Sequence, residues 1–140
     1  MKNGYCLKIV LIILAAALAV GIALQLLPFG KNLDNPPVTD AMQWTDPQAE
    51  EIARRACYDC HSNESVWPWY SKIAPGSWLM QKDVDDGRSA MNFSTGHRIE
   101  ADEIAEVLEG GEMPPPQYLL LHPEARLSQE EKDKLINGVP

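Results

Sequence analysis

The chain has 140 residues, with twelve Lys and Arg against twenty Asp and Glu for a net charge of −8, and three cysteines. Setting aside an apolar run near the start leaves about one small domain's worth of sequence, which excludes a second core and favours reinforcement by a disulfide, metal or cofactor. From Lys31 onward ten basic residues face twenty acidic ones, a balance that argues against nucleic acid or anionic headgroups as partners. It suits a partner with a basic docking face, or plain solubility.

From Ile9 to Leu27 the sequence reads IVLIILAAALAVGIALQLL, nineteen residues without a charge and with one polar side chain, Gln25. That is about the length a bilayer's hydrocarbon core requires, so the run predicts one transmembrane helix. Lys2 and Lys8 precede it and Lys31 follows only after Pro28 and Gly30, so the basic N-terminus is expected to stay cytoplasmic and the rest to cross to the periplasmic side. The competing reading is a signal peptide cleaved after Ala17-Leu18-Ala19. The anchor is favoured because such a cleavage leaves a mostly apolar new terminus, and because the run is longer than a usual signal core. Either reading exports the domain. Cys6 lacks the preceding small and aliphatic residues of a lipidated cysteine and reads as an apolar residue at the membrane edge.

Residues 31–40, KNLDNPPVTD, offer little to bury and read as an extended linker, so the expected organisation is an anchor over 1–30, a linker over 31–41 and a domain over 42–140. A first domain helix follows, with Thr45 as its expected N-cap, Pro47 in the first turn and a stripe of Ala49, Ile52, Ala53 and Ala56.

That helix leads into Cys57-Tyr58-Asp59-Cys60-His61, a C-x-x-C-H sequence, the attachment signature of c-type haem. Two cysteines three apart on a helical turn point the same way, so both sulfurs can reach the vinyl groups on one porphyrin edge, and the histidine that follows can ligate the iron. Three other readings compete. A disulfide between the pair closes a tiny loop and leaves His61 unexplained. A structural zinc site needs four ligands, and no second cysteine pair exists. A thioredoxin-like pair expects a βαβ context, which the pattern lacks.

Trp67-Pro68-Trp69-Tyr70 and Trp78 concentrate aromatic residues within a dozen positions and are the expected walls of a haem pocket, or simply a small core. Pro75 to Gly87 reads as a helix with proline near its start and glycine at its end. Ile104, Val107 and Leu108 mark another, ended by Gly110-Gly111. Met113 follows, stiffened by Pro114-Pro115-Pro116. A thioether held on a rigid loop suits the second axial position of a haem iron, with Met80, Met91, His97 and His122 as rivals and a packing role as the plain alternative. Ser128 and Glu131 form a capping box for a last helix.

The stretches CYDCHSNESVWPWYSKIAPGSWL, DVDDGRSAMNFS and GEMPPPQYLLLHPEARLS together resemble the bacterial haem-binding domain family of single-haem, class I c-type cytochrome-like proteins, over roughly residues 43 to 136. The resemblance implies that Cys57 and Cys60 bond the haem, that His61 is the proximal ligand and that Met113 is the distal one.

The expected fold is all-α and class I cytochrome c-like, with one covalently attached haem c. The expected function is electron transfer between redox partner proteins of the membrane or periplasm rather than enzyme catalysis, since an iron with two protein ligands has no open site. Two other classes remain: a haem sensor or peroxidase-like protein with an open iron position, and a structural haem module of a larger respiratory complex. The state of Met113 discriminates the first.

Overall fold

The residues described in the computed structural model, 2–96 and 98–140, form six α-helices joined by 3₁₀ turns and loops, with no β-strand among them. This is the all-α class the sequence implies. They divide into two compact units, residues 1–33 with 68–82, and residues 34–67 with 83–140.

In the first unit, α1 (Lys2–Leu26) starts seven residues before the uncharged run, and its stretch Tyr5–Leu26 is long and apolar enough to cross a membrane. At 1.5 Å per residue those 22 residues span about 33 Å, close to the hydrocarbon thickness of a bilayer. Gln25, the polar exception of the run, donates from Nε2 to the Ala74 carbonyl and accepts at Oε1 from the Ala74 N–H, both at 3.3 Å. The residues after α1 continue this contact. Phe29 meets Trp78 edge to face with ring centroids 6.2 Å apart, and the Asn32 N–H donates to Gln81 Oε1 at 3.1 Å. Between them Gly30 adopts φ +66°, and a Cβ there would lie 2.5 Å from the Ser77 backbone. Only glycine combines that left-handed turn with so close an approach.

In the second unit, the part of the expected extended linker from Asp34 onward is hydrogen-bonded to the domain. Arg88 donates to the Asp34 carbonyl at 3.1 Å and to Asn35 Oδ1 at 2.8 Å. Asn63 donates to the Pro37 carbonyl at 2.9 Å, and the Thr39 N–H donates to Ser94 O at 3.0 Å. A proline-rich stretch has no regular partners for its own carbonyls, and donors of the domain meet that need.

Helix α2 (Pro47–Ala56) is capped by Asp46, whose side chain accepts from the Gln48 N–H, and not by Thr45. The Thr45 N–H donates instead to Gly138 O at 3.0 Å, joining the start of α2 to the end of α6 (Gln129–Asn137). The small residues Ala49, Ala53 and Ala56 are buried as expected and let α6 lie close, with Gly138 against Ala49. The capping box of Ser128 and Glu131 forms as read. Helix α5 (Ala101–Glu109) packs on α6, whose Lys132 donates to the Leu108 carbonyl at 2.7 Å and so caps the α5 C-terminus.

The motif folds as α3 (Tyr58–His61), one turn directly after α2. Helix α4 (Gly76–Ala90) does not stop at Gly87; that glycine is interior, and a Cβ on it would sit 2.5 Å from the Cys60 carbonyl oxygen. Its role is close packing of helix on motif. Gly87→Ala must push the two apart, with an expected loss of about 1–3 kcal/mol, whereas the exposed neighbour substitution Ser89→Ala leaves stability nearly unchanged. Thermal unfolding of both variants measures the difference.

Candidate functional site

The backbone of the motif is set first. The N–H groups of Cys60 and His61 both donate to the Cys57 carbonyl, at 3.1 and 2.9 Å, which closes the turn and brings the two cysteines to one side. Tyr58, the first residue between them, points into the core. It stacks on Phe93 with centroids 5.1 Å apart and accepts at Oη from Trp44 Nε1 at 3.2 Å. Behind His61 the segment Asn92-Phe93-Ser94 is knitted to the chain after the motif. The Phe93 N–H donates to His61 O at 2.8 Å, Asn92 Nδ2 to Asn63 Oδ1 at 2.9 Å, and the Asn63 N–H to Ser94 Oγ at 3.0 Å.

Cys57, Cys60 and His61 face a cavity of about 470 Å³, within the usual size of cofactor pockets, and Met113, Pro114, Pro115 and Tyr118 line it as well. Apolar residues of the core, among them Phe93, Ile104, Leu108 and Leu135, form much of the rest. The sequence-expected iron ligands are thus brought to one cavity.

His61 is oriented from behind. Its Nδ1 lies 3.1 Å from the Met91 carbonyl, so Nδ1 carries the proton and Nε2 keeps its lone pair. Burial lowers the pKa of the ring, with the carbonyls of Met91 and Gly87 opposing, and the imidazole is therefore neutral at neutral pH, the form that ligates metals. Burial pushes the Cys57 thiol up to about 12, reinforced by the neighbouring Cys60. Burial with the nearby Asp83 and Asp59 does the same to Cys60.

Met113 is positioned by the end of α5. Gly111 turns the chain with φ +72°, and the N–H groups of Glu112 and Met113 both donate to the Val107 carbonyl, at 3.0 and 3.1 Å. The side chain is 36 % exposed. The loop continues to Tyr118, whose Oη donates to Asp59 Oδ2 at 3.0 Å while Asp59 Oδ1 accepts from the Val66 N–H at 2.9 Å. A residue inside the motif therefore holds the loop that carries Met113.

Of the rivals to Met113, one shares its cavity. Met91 packs on the core and lines the cavity, and its carbonyl lies behind His61. Met80 is buried in the first unit, where Tyr70 Oη donates to its sulfur at 3.6 Å. His122 stacks on Tyr118 with planes 4° apart and pairs with Glu124 at 3.0 Å. His97 lies outside the described residues.

The aromatic walls differ from the expectation. Trp44, Phe93 and Tyr118 line the cavity; Trp67 is not among its lining residues, and Trp69, Tyr70 and Trp78 belong to the first unit. The reason is local: after Pro68 the chain enters a 3₁₀ turn, Trp69–Lys72, where Trp69 is exposed and Tyr70 serves Met80. Tyr118, five residues past Met113, could have been suspected as part of the same loop. Phe93 belongs to a stretch that carries part of the family resemblance, but no local pattern assigned it to the cavity.

Among the described residues no group of three or more His, Cys, Asp or Glu side chains is placed to hold a bare metal ion. The set of one imidazole, one thioether and two cysteine sulfurs around a largely apolar cavity instead fits haem, which supplies its own four nitrogens to the iron. No curated protein and no solved structure matches the chain. Residues 19–140 match the model of the haem-binding domain family, a span that contains the whole cavity. The chain belongs to the haem-binding domain family.

Proposed function

We propose that the chain is a single-haem c-type cytochrome that carries electrons between membrane or periplasmic redox partners, anchored by α1 at the outer face of the cytoplasmic membrane. The observation that carries this reading is the convergence of Cys57, Cys60, His61 and Met113 on one apolar cavity. Haem bound there supplies a one-electron iron couple. In this reading Cys57 and Cys60 hold it through thioether bonds, His61 Nε2 is the proximal ligand, and Met113 Sδ is the distal one. The Met91 carbonyl keeps the imidazole oriented, and the apolar walls exclude water and raise the potential. The neutral thioether favours the ferrous state, as an electron acceptor requires.

Covalent attachment is testable directly. After export alongside a cytochrome c maturation system, the haem should stay on the chain through denaturation and acid–organic extraction. Cys57→Ser and Cys60→Ser should each keep one bond, and the double variant should lose all the haem to the solvent phase. Haem that washes out of the unaltered protein refutes thioether bonds.

Distal ligation is tested by the weak near-infrared charge-transfer band of methionine bound to ferric haem. Met113→Ala should abolish it, lower the reduction potential by a sizeable part of the roughly 0.8 V range that axial ligands command, and admit cyanide. Met80→Ala and Met91→Ala should spare the band. A wild-type protein that is high-spin and binds cyanide quickly would instead be an open-site haem sensor or peroxidase-like protein.

Tyr118 is a positioning residue for the same ligand. Tyr118→Phe removes the hydrogen bond to Asp59 and should leave haem attachment and the His61 bond intact, while cyanide displaces Met113 about tenfold faster, the equivalent of about 1.4 kcal/mol. Stopped-flow cyanide binding measures it. A merely structural tyrosine would lower stability without changing that rate.

A further inference from the structure

The charges of this chain are not spread evenly. All twenty acidic residues lie in the second unit, with seven basic ones. The first unit beyond α1, residues 27–33 and 68–82, contains Lys31, Lys72 and Lys82 and no acid. The same short stretches expose large apolar side chains: Trp69 is 74 % exposed, Phe29 60 %, Leu79 49 % and Ile73 48 %. Lys31 and Lys72 are exposed with them.

Their position along α1 is set by bonding. Gln25 lies in the last turn of α1, and its side chain makes both hydrogen bonds to the Ala74 backbone. Ala74 sits between Ile73 and the start of α4. Gly30 lets the backbone at Ser77 and Trp78 approach, and Phe29 closes on Trp78. The turn Trp69–Lys72 and the start of α4 are therefore fastened to the end of the apolar helix.

Aromatic side chains beside lysines at the end of a spanning helix are the composition of a membrane–water interface, where the ring sits among headgroups and the ammonium reaches lipid phosphate. We propose that residues 27–33 and 68–82 form a membrane-binding face that lies in the anionic headgroup layer of the bilayer, with Trp69, Ile73, Leu79 and Phe29 inserted and Lys31 and Lys72 on lipid phosphates. The proposal rests on the reading that α1 spans the membrane. It refines the whole-chain charge argument: the acidity that would repel anionic lipid belongs to the second unit alone.

The test uses the full-length holoprotein in a Cys6→Ser background, reconstituted at low density in vesicles of phosphatidylcholine with phosphatidylglycerol. Nitroxide labels are placed in turn at Ile73→Cys, Leu79→Cys, Leu18→Cys in α1 and Leu120→Cys in the second unit. Collision with oxygen, which partitions into lipid, is compared with collision with a water-soluble nickel complex. The ratio at positions 73 and 79 should exceed that at 120, fall short of that at 18, and drop toward the value at 120 when Lys31→Gln and Lys72→Gln are combined or when phosphatidylglycerol is omitted. Labels at 73 and 79 as open to nickel as that at 120, with 18 still deep in lipid, would overturn the proposal and leave the anchor standing. Labels at 73 and 79 shielded from both reagents would also overturn it, since a protein would then cover the face. A label at 18 open to nickel would remove the anchor, and the proposal with it.

Discussion

His61 Nδ1 hydrogen-bonds to the Met91 carbonyl at 3.1 Å just past the end of α4, and four residues back, inside α4, Gly87 lies directly against the Cys60 backbone. These two contacts make the C-terminal end of α4 the support for the whole motif. The carbonyl decides which imidazole nitrogen is free, and the absence of a Cβ decides how near the helix can come. A larger residue at 87 would move the acceptor and the motif apart together. The cavity, the tautomer of His61 and the burial of the two thiols all follow from that approach.

A second device is needed at the cavity, because Met113 comes from a loop 52 positions further along the chain than His61. The loop is held at both ends: by the Val107 carbonyl, which accepts from Glu112 and Met113, and by Asp59, which accepts from Tyr118. Asp59 is one of the two free positions of the C-x-x-C-H signature. Its use as an anchor for the wall that carries Met113 joins the motif and the Met113 loop through one hydrogen bond between a phenol and a carboxyl group.

The two units also differ in what they leave exposed. The second is acidic and carries the cavity. The first combines an apolar helix with basic and aromatic residues tied to its end by Gln25, so a single polar side chain inside a membrane-length run has a structural use there: it satisfies both backbone groups of Ala74, a residue 49 positions away.

Much of the site was legible in the residues. The C-x-x-C-H spacing, the apolar run, the stripe of α2, the capping box of α6 and the Met113 loop are local patterns, governed by helical periodicity, capping and turn chemistry, and each keeps its meaning without knowledge of the fold. The aromatic walls were not legible, since Trp67-Pro68-Trp69-Tyr70 is close to the motif in sequence while Trp44, Phe93 and Tyr118 reach the cavity from three separate segments. Gly87 read as a stop because glycine usually ends a helix, and only the neighbour it meets reveals that it is there for space. Residues 31–41 read as an extended linker, and the donors that bond its Asp34–Pro37 stretch, Arg88 and Asn63, lie far along the chain. The sequence by itself thus determined the all-α class, the membrane-length helix and the C-x-x-C-H motif, each a pattern over a continuous stretch of chain. The tertiary structure alone decided what surrounds that motif and which stretch belongs with α1, because both depend on contacts between residues tens of positions apart.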